Sequence, residues 1–381
     1  MGRYDTFSKM VRFLSLPFYI KLACTLISII ALGYIAHIGQ TIIVPLILGS
    51  LFSLLLVPVC NWLESKLNFH RTLAAIVALL LFFGLVGGLF TMLGSQLSML
   101  KDDWPAFEKQ IMDGFQLAQI WVHKTYGVAQ SEQMEYLTNT VSKSVSQGTA
   151  IVGIALLSLS SLLILLVFTF LYAFFILIYR GHIVRFLLLV NRTEHHMIVM
   201  DIVQQIQYVV KKYLIGLVLQ MLIVAVLTFI ALSIIGVKYS LMLAIITGVF
   251  NVLPYIGIVV AMLIIALITF ATSSITHVFL VILALIVIHL MDSNYVVPKI
   301  VGSKVKVNSL FAMMAIIVGE MLWGISGMFL AIPILAICKI LFDRVRDLKA
   351  WGFLLGEEEK NNENFKRLLE ELNIFKRKSG Q

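Results

Sequence analysis

The stretch Ser309–Leu341, SLFAMMAIIVGEMLWGISGMFLAIPILAICKIL, is apolar for longer than one membrane crossing requires. It is interrupted at its centre by Gly319, Glu320, Gly324 and Gly327, and again by Pro333. A hydrocarbon core about 30 Å thick accepts roughly 20 helical residues. A carboxylate and three glycines inside such a run favour two half-helices over one rod. Irregular backbone at membrane depth survives only where protein or a watery cavity satisfies its polar groups. Unwound backbone of that kind is where a transporter holds what it moves.

Composition agrees with a lipid surrounding. Of 381 residues, 60% are hydrophobic and only 13% charged, a charged share about half the usual one. Several unbroken apolar runs make this an all-α, polytopic helical membrane protein, with about six to eight crossings. A β-barrel is excluded, since it would show short alternating segments. The net charge of +9 comes from basic residues just outside apolar runs, where membrane orientation puts them, so no nucleic-acid partner is expected. Cys24, Cys60 and Cys338 lie in or beside apolar runs without metal-ligand spacing. No disulfide framework, metal or other cofactor is expected.

Five segments follow in order. Residues 1–94 hold crossings at 22–38, 41–60 and 72–94, the first two forming a tight hairpin across Gly39-Gln40. Gly84, Gly87 and Gly88 suit the third to close helix contact. Residues 95–149 turn acidic, with Leu97, Leu100, Trp104, Phe107, Ile111 and Phe115 at helical spacing, and predict an extracytoplasmic helical insertion. Residues 150–213 combine a crossing at 151–179 with a basic amphipathic helix lying near the membrane surface. Residues 214–342 form the transport core. Residues 343–381 are a charged cytoplasmic tail whose Phe365, Leu368, Leu369 and Leu372 make an apolar stripe.

Within that core a second broken run, Lys238–Phe270, resembles the first in design, with Gly248, Asn251, Pro254 and Gly257 at its break. AIITG (Ala244–Gly248) recurs as AIIVG (Ala315–Gly319). If both runs are re-entrant hairpins, the basic segments 61–71, 180–212 and 299–306 all fall on the cytoplasmic side, as do both termini, and the two hairpins come out inverted. Inverted broken hairpins are a transporter signature. Their tips, Asn251–Gly257 and Glu320–Gly327, are expected to bracket one site.

Three stretches carry a family likeness: GVKYSLMLAIITGVFNVLPYIG, NYVVPKIVGSKVKVNSL and GEMLWGISGMFLAIPILAICK, joined by the earlier IIVPLILGSLFSLLLVPVCNWLE. The chain resembles the autoinducer-2 exporter (AI-2E) family of bacterial transporters. The resemblance implies a secondary transporter of the bacterial inner membrane, elevator-like and proton-coupled, exporting a small polar molecule such as autoinducer-2. It implies a homo-oligomer, a pentamer fitting, in the lipid bilayer. The alternative is a sodium(lithium)/proton antiporter, whose partner is a monovalent cation. More remote are a passive channel and an intramembrane serine protease built on Gly324-Ile325-Ser326-Gly327 with His289 as base. No enzyme activity is expected.

The pathway candidates are few. Glu320 is expensive in an apolar run and marks a pathway or proton site, or it caps the opposing half-helix or pairs with a buried cation. Asn251 can donate and accept toward a hydroxylated ligand, and Pro254 breaks the helix. Gly257, Gly324 and Gly327 permit positive φ or close approach. Asp292 and Asn294 close the next apolar segment, where Asp292 either lines the pathway or pairs with Lys299. Gln220 lines a cavity or holds two helices together. His289, one turn before Asp292, is a proton shuttle or a satisfied structural histidine.

Overall fold

The computed structural model describes residues 17–102, 114, 116, 120, 123–125, 163–253, 256–302 and 307–357. These are helical almost throughout, with no strand among them, and include six helices long and apolar enough to cross a membrane. The chain divides into two compact units: Met1–Ile183 with Leu267–Ser274 and Val318–Leu330, and Val184–Ala266 with Ile275–Ile317 and Ala331–Gln381. Most of the expected insertion at 95–149, and the stripe at 365–372, lie outside the described residues.

The first unit is built on α1 (Phe18–Ile38), α2 (Gln40–Lys66), α3 (Arg71–Asp102) and the start of α4 (Leu163–Val190). Lipid offers no hydrophobic drive for helix association, so close van der Waals packing by small residues must supply it. The core does this with Ala74, Ala75 and Ala78 of α3 and Ala173 of α4, set against Leu56, Cys60 and Leu63 of α2. A side chain at Gly49 would come within 2.8 Å of Tyr172 Cβ and 2.9 Å of the Ala173 nitrogen, so α2 and α4 touch backbone to backbone. Arg180 Nη2 donates to both oxygens of Glu64 at 3.0 and 2.9 Å, fastening the far ends of the same helices.

Two expectations are corrected here. Among the described residues nothing lies within 4 Å of where a side chain at Gly84, Gly87 or Gly88 would begin, and the close contact is made by the alanines at the start of α3. Nor do α1 and α2 form a tight hairpin. Gly39 (φ −78°, ψ 7°) departs from helical geometry mainly in ψ, its N–H still bonds Ile35 O, and its carbonyl still accepts from Ile43 N. The helices meet end to end across a bend, and Leu26, Ile27, Ile29, Ile30 and Leu32 of α1 are all exposed.

The second unit holds α5 (His196–Ile235), α6 (Ser240–Phe250), most of α7 (Ile256–Thr272), α8 (Ile275–Met291) and a wider-wound π segment (Asp292–Gly302). It also holds the outer parts of α9 (Ser309–Arg344) and all of α10 (Lys349–Leu355). The surface helix expected before residue 213 is not separate: α5 runs unbroken from His196 into the apolar segment. Its buried stripe, Val210, Tyr213, Leu214, Leu217, Gln220, Val224, Thr228 and Leu232, has the 3–4 spacing of a single packed helix face.

Gly236 ends α5 in the left-handed region (φ 84°), and Val237 N returns to Leu232 O at 2.9 Å, a Schellman stop that turns the chain back. α6 then lies along α5, where Gly248 meets the Met221 carbonyl and Ala225.

Both broken runs fold back on themselves. A Cβ at Gly257 would collide with the carbonyl of Phe250, and one at Gly327 with the carbonyl of Gly319. Along a straight helix Gly319 and Gly327 would be about 12 Å apart. The reversal in α9 is made by Trp323 (φ −137°, ψ 15°) and Gly324 (φ 60°, ψ −139°). The arms also return to one place, because Asn308 N, just before α9, donates to Leu355 O of α10 at 2.9 Å. Arg344 Nε, at the end of α9, reaches Asp201 Oδ2 at 2.7 Å.

The two glycines at this reversal separate backbone strain from collision. Among the described residues nothing lies within 4 Å of a Cβ at Gly324, so Gly324→Ala costs the conformation, about 1–3 kcal/mol. Gly327→Ala forces the arms apart. Thermal unfolding in lipid nanodiscs is expected to show a modest loss for Gly324→Ala and a larger one, or loss of folded protein, for Gly327→Ala. Equal melting of the two variants would count against the fold-back.

Candidate functional site

The second unit brings three of the expected residues together. Asp292, at the end of α8, is 5% exposed, and Gln220 on α5 is 6% exposed. Asp292 Oδ2 accepts from Gln220 Nε2 at 3.0 Å and from Asn251 Nδ2 at 3.1 Å. The amides must face the carboxylate this way round, since their carbonyl oxygens would be repelled by it. Asn251 is delivered by the fold-back: it caps α6 at the start of the α6–α7 turn. Asp292 opens the π segment, a winding found at functional sites.

The electrostatics are one-sided. Asp292 takes its two hydrogen bonds from neutral amides rather than from Lys299, and its Oδ1 is buried without a partner among the described residues. His289 Nδ1, one turn earlier on α8, is likewise buried and without a partner among the described residues. Burying a carboxylate with an unmet oxygen is costly in a low-dielectric interior, which makes such a side chain inside a membrane helix a candidate functional site. Gln220 stands eight residues from Lys212 and sixteen from Gly236, about 12 Å and 24 Å of helix rise, so the centre is well inside the apolar length of α5.

The other candidates are placed elsewhere. Asn294 is exposed, and its Nδ2 donates to Leu290 O at 2.8 Å, so it closes its own helix. Gly257 and Gly327 are the buried contact points of the two reversals, and Gly324 is the positive-φ residue. Pro254 lies outside the described residues. Glu320 is exposed on the first arm of α9, in the first unit.

In that unit the α9 tip docks on the bend between α1 and α2. Trp323 Nε1 donates to Ala36 O at 2.8 Å, and His37 Nδ1 lies 2.9 Å from Leu322 O. The interrupted helix frees the Ala36 carbonyl that the indole takes up. Beside the tip is a cavity of about 410 Å³ lined by Gln40, Thr41, Val44, Ile164, Leu165, Trp323 and Ser326.

Broken helices, a buried polar centre and apolar surroundings define a class of membrane protein, and residues 26–347 match the model of the AI-2E family transporters. The chain belongs to the AI-2E transporter family. It is 28% identical over 79% of its length to YrrI of Bacillus subtilis, covering 86% of that protein, which is provisionally named a transport protein. It is 23% identical over 84% of its length to YhhT of Escherichia coli, covering 89% of it and also provisionally named for transport. A shorter match, 31% identical over 53% of this chain and 58% of the relative, is to the provisionally named permease PerM of Escherichia coli. Family membership makes this a multi-pass membrane protein with a transported solute.

Within this AI-2E member, sequence reasoning listed Gln220, Asn251 and Asp292 separately and missed that they meet. One signal was available: Gln220 is the sole amide on the buried stripe of α5, set there between Leu217 and Val224. Trp323, Gln40 and Thr41 gave no such signal, because their neighbours come from distant segments.

The centre can be tested as a coupled unit. Gln220→Leu leaves Asp292 Oδ2 one donor short and is expected to cost about 1–3 kcal/mol. In an Asp292→Leu background the same change should be nearly neutral, because the group needing donors is gone. Unfolding in lipid micelles measures both, and equal penalties would show that the two side chains are not coupled.

Proposed function

We propose that this AI-2E family member is a secondary transporter of the bacterial inner membrane that exports a small polar solute of the autoinducer-2 kind. The observation that carries this reading is the Gln220–Asn251–Asp292 centre at the reversal of a broken helix. Amide donors and carboxylate acceptors at one point suit a compact hydroxylated molecule. Their position beside unwound backbone is the arrangement by which transporters hold solutes at membrane depth.

In this reading both reversals are re-entrant, dipping from opposite faces of the bilayer. The basic segment 180–212 and the end of α9 lie in the cytoplasm. The Arg344–Asp201 pair, joining those two ends, supports putting them on one side. Glu320 stands on the solute path, because a carboxylate exposed on an apolar arm is too costly against lipid. The exposed apolar surface of α1 meets lipid or a second copy of the chain in a homo-oligomer. A division into two compact units is what an elevator-like carrier requires.

Liposomes holding the full chain, preloaded with autoinducer-2 and supplied with labelled autoinducer-2 outside, test this. Wild type is expected to show counterflow. Asp292→Asn and Glu320→Gln are each expected to lower it roughly tenfold or more. Ohmic conductance without counterflow would replace the carrier by a channel, and cation-driven proton movement without solute would favour the sodium(lithium)/proton antiporter.

A further inference from the structure

We infer that His289 and Asp292 form a proton-carrying pair that couples the transport cycle to protons, an inference resting on the transporter reading above. The carboxylate is used asymmetrically: Oδ2 is held by two amide donors, while Oδ1 has no partner among the described residues. His289 Nδ1 is in the same condition. Residues three apart on a helix share a face, with Cβ atoms about 5–6 Å apart, so the two unmet atoms belong to one locality. The two side chains are not in direct hydrogen-bond contact, so the carboxyl oxygen and the imidazole nitrogen relieve each other through a proton passed across one water.

The transfer is simple. A proton on Asp292 Oδ1 passes to a bridging water, which gives one of its own protons to the lone pair of His289 Nδ1. Net of the water, one O–H bond breaks and one N–H bond forms, giving a carboxylate beside an imidazolium, with no electron transferred. It requires the His289 tautomer that carries its hydrogen on Nε2. Asp292 stays fixed by Gln220 and Asn251 in either state, because both amides bind the other oxygen.

The surroundings suit a proton better than a metal cation. A hard cation needs several oxygen ligands, whereas the amides here offer N–H groups to the carboxylate. Among the described residues, other charges facing the pair are few. On α5 the stripe presents neutral Gln220 and, two turns along, Tyr213, with Lys211 and Lys212 beyond Gln220 toward the helix start. α6 carries no ionisable side chain and contributes Asn251 at its cap. On the pair's own element, His277 lies near the start of α8, and the π segment carries exposed Tyr295 and Lys299.

The test uses the full chain with ¹⁵N-labelled histidine in lipid vesicles, its His289 signal identified by loss in His289→Gln. In wild type that signal is expected to gain a proton as the vesicles are acidified, and in Asp292→Asn to change tautomer or protonation at fixed pH. A His289 signal that keeps one state across the titration overturns the proposal from the wild-type chain alone. So does one indifferent to Asp292→Asn.

Vesicles loaded with a pH-sensitive dye supply the second readout. Autoinducer-2-driven proton movement is expected to fall roughly tenfold or more in His289→Gln while counterflow persists. Counterflow with unaltered proton movement in that variant overturns the pair. Absent counterflow with the His289–Asp292 spectral coupling intact instead counts against the solute reading and supports the pair.

Discussion

The fold depends on how a chain can reverse inside an apolar run without stranding its backbone. A lipid-facing turn would leave N–H and C=O groups with no water to bond. Here each reversal is closed by a glycine set against a carbonyl on the preceding arm, Gly257 on Phe250 and Gly327 on Gly319. That contact packs the turn against the chain itself. One backbone group is met visibly: the Leu322 carbonyl beside the second reversal has His37. Close arms are a consequence of the medium, and glycine is the residue that allows them.

Having made the turn, the protein uses it. The first reversal carries Asn251 to the end of α6, where it reaches Asp292, and Gln220 arrives from a stripe that is apolar on either side. Hydrogen bonds to a charged acceptor are stronger in a low-dielectric interior, but the same medium magnifies the cost of an oxygen left unmet. Satisfying one carboxylate oxygen twice and the other not at all is therefore a poor way to build a rigid structural pin. It is a good way to hold an acid in a fixed position while leaving one atom to react.

The architecture was legible because apolar length and glycine placement are local signals. The break at Gly319–Gly327, the matched AIITG and AIIVG, and the long apolar runs all follow from rules that act within a few residues. The errors came where two segments had to be matched. Gly84, Gly87 and Gly88 look suited to helix contact, yet the contact is made earlier on α3 by alanines, since small size permits an approach without compelling it. At Gly39 a short polar link suggested a hairpin, but a single residue with φ −78° and ψ 7° only bends the path. Asp292 was weighed against Lys299 because both lie on one segment. Its actual partners are 72 and 41 residues away, a separation no periodicity reveals.

The repeat itself deserves a narrower meaning than symmetry of function. AIITG and AIIVG both precede a reversal, and both reversals are closed by a later glycine. The partners of the two tips differ in kind. The first tip, through Asn251, binds a buried carboxylate in its own unit, whereas the second, through Leu322 and Trp323, is held within its own unit by backbone and side chain of the α1–α2 bend. A short motif specifies the turn because the turn is a property of the backbone. What the turn holds is decided by whichever helix packs against it, and that is written elsewhere in the chain. The matched pair is thus a repeat of architecture, and the buried carboxylate is held at the tip that carries Asn251.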